Sequence, residues 1–142
     1  MEENQLNRYL EIKDWVGKGF SPLTIFGSWL AAKMNWEERF DPANLSVLER
    51  HNGTDEVFIL WRGSAALMVK TDRGIEAREM VPGVFYNVIK GVWHNVLGSK
   101  DASWIIVETH DPHAEPTEFY QLREDEKTEI RKTLAGWLAR NS

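Results

Sequence analysis

Two histidines and two glutamates of this 142-residue chain have the residue types and spacing of metal ligands. Glu49 and His51 stand two positions apart in one β-type segment, Glu56 begins the next, and His94 lies in a later one. Side chains two positions apart in a strand share a face, which places Glu49 beside His51 and places Glu56 and His94 among apolar neighbours. Inward-facing ionisable groups need partners, so we expect these side chains to meet each other or a metal ion. The chain has no cysteine, which leaves nitrogen and oxygen as the only ligands.

Short β-rich runs separated by turn residues make up most of the chain and would position these side chains. Their regular spacing indicates an all-β sandwich or barrel, and their number favours a double-sheet jelly roll. The predicted strands are Asn44–His51, Glu56–Trp61, Ala65–Thr71, Ile75–Met80, Val84–Ile89, Val92–Gly98, Ser103–Thr109 and Glu118–Leu122.

The two ends of the chain differ from this β-rich middle. From Glu124 onward the apolar residues Ile130, Leu134 and Trp137 recur at helical spacing, which predicts an amphipathic helix packed on the barrel. Asn4–Gly19 fits either a helix or an edge strand, and we favour an extended arm. We therefore predict one domain with an arm at 1–22, a β-barrel at 23–122 and a C-terminal helix at 123–142.

The spacing of two stretches resembles the motifs of the cupin superfamily. The first motif matches at His51, Glu56 and Gly63, and the second at Gly83, Gly91 and His94. Three positions depart from the usual histidine, proline and asparagine of the family: Glu49, Ile89 and Gly98. The resemblance implies a small single-domain cupin, a double-stranded β-helix or jelly-roll barrel.

The resemblance also implies a metal site, because cupins hold Fe, Mn, Zn, Ni or Cu with residues of these two motifs. Carried over, the ligands are His51, Glu56 and His94, with Glu49 in place of a fourth, histidine ligand. Two imidazoles and two carboxylates suit a divalent ion such as Fe, Mn, Zn or Ni better than Cu(I). The alternative is that the same side chains hydrogen-bond one another and water without a metal. His110 and His113 lie in a polar stretch and are interpreted as turn residues outside the site.

The predicted barrel would hold a small-molecule ligand between aromatic walls, for which we name Phe58, Phe85 and Trp104. One hypothesis is an enzyme in which the metal acts on a small organic acid or a sugar-like substrate. The other is a non-catalytic cupin that binds or senses a small molecule without metal. The sequence assigns no catalytic residue and leaves open whether the protein is an enzyme.

Composition and surface patterning bear on partners and location. A net charge of −5 with no basic block argues against nucleic acid, and no apolar run has the length of a membrane span. The polar N-terminus does not resemble a secretory signal, so we expect a cytoplasmic protein. Val57, Ile59, Trp61 and Trp93 are expected to face away from the barrel and to be covered in a homodimer. The alternative is that the arm or the C-terminal helix covers them.

Overall fold

The computed structural model describes residues 2–141, and β-strands carry its fold. The strands are β1 (Gly19–Phe26), β2 (Trp29–Asn35), β3 (Val47–Arg50), β4 (Glu56–Arg62), β5 (Ala65–Thr71), β6 (Gly74–Glu79), β7 (Phe85–Val88), β8 (His94–Gly98), β9 (Ser103–Thr109) and β10 (Glu118–Gln121). The helices are α1 (Glu3–Leu6), α2 (Glu124–Thr133) and α3 (Ala135–Arg140), with 3₁₀ turns at Glu38–Phe40 and Pro42–Asn44.

The strands pair into two five-stranded antiparallel sheets. The first sheet has the order β1-β2-β9-β4-β7 and the second the order β10-β3-β8-β5-β6. Over residues 2–141 no strand pairing joins the two sheets, so the prediction of a closed barrel is corrected to two facing sheets. Side-chain packing between their inner faces holds them together, because the core there includes Phe40, Leu60, Trp104 and Ile106.

The C-terminal segment is helical from Glu124, as its change of period predicts, but it forms two helices divided at Leu134. These helices cover the outer face of the second sheet. Ile130 and Trp137 are buried there against Leu48 and Met68 of that sheet. The helices thus give the second sheet an apolar core on each of its faces.

Two strands precede the predicted ones. The predicted extended arm contains the short helix α1 and a stretch without regular structure at 7–18, and β1 begins at Gly19, inside the predicted arm 1–22. The hairpin of β1 and β2 turns at Gly27, whose φ of 57° lies in the region that favours glycine. None of the helices within residues 2–141 is both long and apolar enough to cross a membrane.

The four residues predicted to form one outward patch divide between the two sheets. Val57, Ile59 and Trp61 lie on β4 in the first sheet, whereas Trp93 precedes β8 in the second. Trp93 packs 5.8 Å from the Tyr120 ring, measured between ring centroids, and is partly covered. The prediction assumed that the ligand-bearing strands share a sheet, which the strand order contradicts.

Candidate metal centre

Four potential metal ligands converge at one end of the space between the sheets. Glu49 lies on β3 opposite His94 of β8, His51 directly follows β3, and Glu56 begins β4 in the facing sheet. One donor atom from each of these residues lies within 4.8 Å of the other three. The structure thus brings together the four ligands predicted from the sequence, and they bridge the two sheets.

Distances within this cluster match those between ligands of one ion. His94 Nε2 lies 3.1 Å from Glu56 Oε1, and His51 Nε2 lies 3.5 Å from Glu56 Oε2. Ligand atoms about 2.1 Å from a metal lie about 3.0–3.4 Å apart in octahedral or tetrahedral geometry. The His94–Glu56 contact has this spacing, and the His51–Glu56 contact exceeds it by about 0.1 Å.

The hydrogen bonds of His94 assign its tautomer. Its Nδ1 lies 2.9 Å from the carbonyl oxygen of Val92, which only accepts, so Nδ1 carries a proton. In the neutral ring the lone pair of Nε2 then faces the carboxylate of Glu56. Two acceptors at 3.1 Å repel each other unless a proton or a cation lies between them. Because the His94 side chain is almost fully buried, solvent does not relieve this contact.

Glu56 carries the negative charge at the centre of the cluster. Burial opposes its ionisation, but hydrogen bonds with His51, His94 and Glu108, together with the charge of His51, outweigh burial and hold the pKa of Glu56 well below its usual range. The hydrogen bond with Glu56 also raises the pKa of His51, although burial acts against this shift. The carboxylate is therefore available both to a metal and to protonated histidine.

Glu108 is a further member of the site that the sequence analysis missed. It is the cross-strand partner of Glu56 between β9 and β4. Burial, together with the hydrogen bond and repulsion from Glu56, raises the pKa of Glu108 to about 8. The Glu108 carboxyl therefore keeps a proton at neutral pH. Glu108 lies two and four positions after the inward-facing Ile106 and Trp104, and this alternation is the sequence signal that could have predicted its inward orientation.

Three members of the cluster, Glu49, His51 and Glu56, line a cavity of about 250 Å³ that Arg39 and Thr117 also line. Arg39 Nη1 lies 3.7 Å from Glu49 Oε2, and Thr117 Oγ1 lies 3.2 Å from His51 Nδ1. An outer pocket of about 540 Å³ shares His51, Glu108 and Thr117 with the cavity. A bound molecule thus has a polar, partly cationic wall and a wider entrance.

The three predicted aromatic wall residues have different environments. Phe58 lines the cavity. Phe85 lies on the outer face of the first sheet, 71% exposed, because Tyr86 and Val88 are the residues of β7 that turn inward. Trp104 points inward but is fully buried against Phe40, with 5.3 Å between their rings, so it belongs to the core and does not line the cavity.

The other two histidines stay outside the cluster. His110 and His113 line the outer pocket, where Asp111 Oδ1 accepts a hydrogen bond from the His113 backbone N–H at 2.8 Å. This is the geometry of a turn, as the polar sequence around them predicts.

The sequence matches no protein-family model and, at a significant level, no curated protein. Solved structures do resemble the chain. A cupin-2 domain containing protein from Shewanella frigidimarina NCIMB 400 has 17% identity and a TM-score of 0.51, with 78% of this chain and 94% of that chain covered. KdgF from a Halomonas species has 14% identity and a TM-score of 0.50, with 75% and 92% covered.

A mutant of Bacillus subtilis oxalate decarboxylase aligns over 88% of this chain with 14% identity and a TM-score of 0.53. The chain spans only 34% of that enzyme. At these identities the likeness concerns the backbone and not the chemistry. The chain therefore has the cupin fold, which confirms the resemblance that its two motifs carry.

Proposed function

We propose that the protein binds one divalent metal ion through His51, Glu56 and His94, with Glu49 as the fourth ligand. The convergence of these four donors between the two sheets carries the proposal. The contact between His94 Nε2 and Glu56 Oε1 supports it, because a metal ion can replace the proton that otherwise has to lie between these two atoms. The set of two nitrogens and two oxygens fits Fe, Mn, Zn or Ni.

Metal analysis of the full chain tests this proposal. We expect one ion for each chain in the wild type and none in His51→Ala or His94→Ala, since each loses an imidazole ligand. His110→Ala is the matched control, because it removes a histidine that lies outside the cluster, and it should keep the ion. Wild-type protein that takes up none of the four metals would contradict the proposal.

Glu49 is tested separately because it stands where the family has a histidine. If Glu49 is a ligand, the Glu49→His variant should bind the metal with equal or higher affinity, whereas the Glu49→Ala variant should bind it more weakly. Equal affinities of the two variants would place Glu49 outside the coordination sphere.

We further propose that the metal site acts on a small organic acid or a sugar-like molecule. A bound divalent ion supplies Lewis acidity toward an oxygen atom. Arg39 at the cavity wall would orient a carboxylate, and the protonated Glu108 carboxyl would supply a proton within the cavity. A cavity of about 250 Å³ restricts the bound part of the molecule to a small group.

The second candidate is a metal-free small-molecule binder. The observation that favours it is the hydrogen-bonded set of Glu56, His51 and His94, in which ring protons of both histidines satisfy the Glu56 carboxylate without an ion. Thermal unfolding with a series of small organic acids, measured with EDTA and with added metal, separates the two functions. Stabilisation that is unchanged by EDTA supports the binder, whereas stabilisation that requires added metal supports the metallo-enzyme.

We also propose a cytoplasmic homodimer that forms through the outer face of the first sheet. The C-terminal helices cover the outer face of the second sheet, but no helix covers the outer face of the first sheet within the described residues. That face exposes the apolar residues Phe26, Trp29, Trp61, Phe85 and Ile105. Their exposed area is on the order of 600 Å², which is at the upper end for the largest patch of an ordinary monomer and at the lower end of one partner's share of a standard interface.

Sedimentation tests the homodimer with two charge insertions. Phe85→Glu should dissociate it, whereas Phe119→Glu, at an exposed phenylalanine of β10 in the other sheet, should not. A wild-type mass of 16.4 kDa at high micromolar concentration would contradict the homodimer.

A further inference from the structure

A basic pocket of about 390 Å³ lies at the end of the first sheet that is remote from the metal centre. Its lining includes four cations, Lys18, Lys33, Arg62 and Lys100, and the indoles of Trp15 and Trp36. Arg62 ends β4 and Glu56 begins it, so the two sites are about 20 Å apart along the strand. No carboxylate of the described residues 2–141 lines this pocket.

The fold gathers these cations from four separate segments of an acidic chain. Lys18 precedes β1, Lys33 lies in β2, Arg62 in β4, and Lys100 in the turn before β9. Since the net charge of the chain is −5, this concentration of positive charge runs against the overall balance.

Only part of this positive charge is compensated. Lys33 Nζ lies 2.7 Å from Asp14 Oδ1, and Lys18 pairs with Glu38. Arg62 donates from Nε to the carbonyl oxygen of Asp101 at 3.2 Å, which neutralises no charge. Between residues 2 and 141, neither Arg62 nor Lys100 has an ion pair. These two cations therefore have no carboxylate partner, although the Arg62 guanidinium also lies 5.6 Å from the centroid of the Trp61 ring.

Hydrogen bonds hold the wall of the pocket in place. The Nδ2 of Asn35 donates to the carbonyl oxygens of Trp15 at 3.0 Å and Gly17 at 2.8 Å, and Trp15 Nε1 donates to the Gly19 carbonyl at 3.0 Å. A Cβ at Gly17 would lie 2.4 Å from the Trp15 ring, so the ring rests directly on this glycine. The pocket is thus preformed, which lowers the ordering cost of binding.

One buried donor on the wall has no acceptor. The Nε1–H of Trp36 is inaccessible to solvent and finds no hydrogen-bond partner among the described residues. Such an N–H is costly to leave unpaired. Because this atom is closed to solvent, a molecule in the pocket does not reach it unless the wall around Trp36 moves.

We propose that the basic pocket binds a small organic anion that carries two anionic groups, either phosphoryl groups or carboxylates. Arg62 and Lys100 meet the two charges, and the indoles of Trp15 and Trp36 pack on the carbon skeleton or ester portion. The sequence contains no basic block. The site does not require one, because the fold brings together four cations that are far apart in the sequence. The proposal is independent of the metal centre.

Isothermal titration of the full chain with pyrophosphate and with citrate, at low ionic strength and after a chelating resin has removed metal, tests the proposal. We expect binding of at least one probe, and the tighter of the two identifies the phosphoryl or the carboxylate class. The Arg62→Glu/Lys100→Glu double variant should weaken binding about tenfold or more, because it replaces two attractions by repulsions. The matched control Lys132→Glu, a charge reversal on the exposed surface of α2, should stay within about twofold.

Two further variants separate loss of charge in the pocket from loss of the fold and from binding at the metal centre. Lys100→Gln removes one charge from an exposed turn, where the fold does not depend on the side chain, and should weaken binding by a smaller factor. His94→Ala should bind the probes unchanged. No binding by the wild type at millimolar probe, equal binding by the double variant and the wild type, or loss of binding in His94→Ala would each overturn the proposal.

Discussion

Glu108 makes the stability of the metal-free protein depend on pH. Burial beside Glu56 raises its pKa from a usual value of about 4.5 to about 8, so the folded chain binds this proton more tightly than the unfolded chain does. A group with a raised folded-state pKa contributes stability that is fully present below its unfolded pKa. The contribution is lost as pH rises from about 4.5 through about 8.

The magnitude follows from the size of the shift. One pKa unit is about 1.4 kcal/mol, so the full shift would correspond to about 5 kcal/mol across this range. Solvent reaches part of the Glu108 side chain and screens its repulsion from Glu56, so we expect about 2 kcal/mol. Glu108→Gln keeps the shape of the protonated carboxyl and cannot ionise. It should therefore lose this dependence.

Urea unfolding at pH 5, 6, 7 and 8.5 in EDTA measures the effect. Between the extremes the free energy of unfolding of the wild type should fall about 2 kcal/mol further than that of Glu108→Gln. The Glu108 carboxylate contributes to the raised pKa of His51, so the difference between the two proteins includes this coupling. Glu129→Gln, on the exposed face of α2, should follow the wild-type curve. Parallel curves for wild type and Glu108→Gln would refute the inference that Glu108 holds a proton at neutral pH.

Three further predictions concern the metal, the helix packing and a turn. Added metal at a hundred times its dissociation constant should stabilise the wild type by about 2.7 kcal/mol in urea unfolding but not His94→Ala, and equal shifts would place the ion elsewhere. Ile130→Ala should cost about 2–4 kcal/mol in the same assay, because it empties a buried site beneath α2, whereas the exposed Thr133→Ala should cost under about 0.5. Gly63→Ala should cost at least about 2 kcal/mol, because φ is 78° and a Cβ would lie 2.6 Å from the facing backbone. Gly53→Ala, with nothing within 4 Å, should be nearly neutral, and a similar loss in both would contradict this reasoning.

The local pattern of the sequence was sufficient for most elements and for the ligand cluster. Alternation of side chains is a property of each strand by itself, so the segments of β3 to β10 and the inward direction of Glu56 and His94 were readable without the fold. The helical period from Glu124 is local in the same sense. The hairpin of β1 and β2 was missed, because its strand pattern around Gly27 was not recognised as two strands joined by a turn.

Tertiary structure alone decided what depends on contacts between distant segments. The hydrogen-bonded pairing of distant strands decides which sheet a strand joins. This pairing places Trp93 and β4 in different sheets, and no pairing joins the two sheets within the described residues. Cross-strand register set Glu108 opposite Glu56, and that contact, not the residue type, raises the pKa of Glu108. The basic pocket has the same origin, since Lys18 and Lys100 are far apart in sequence and become neighbours of one pocket only through the fold. Electrostatic interactions depend on distance in space, and a sequence specifies that distance only within a strand or a helix.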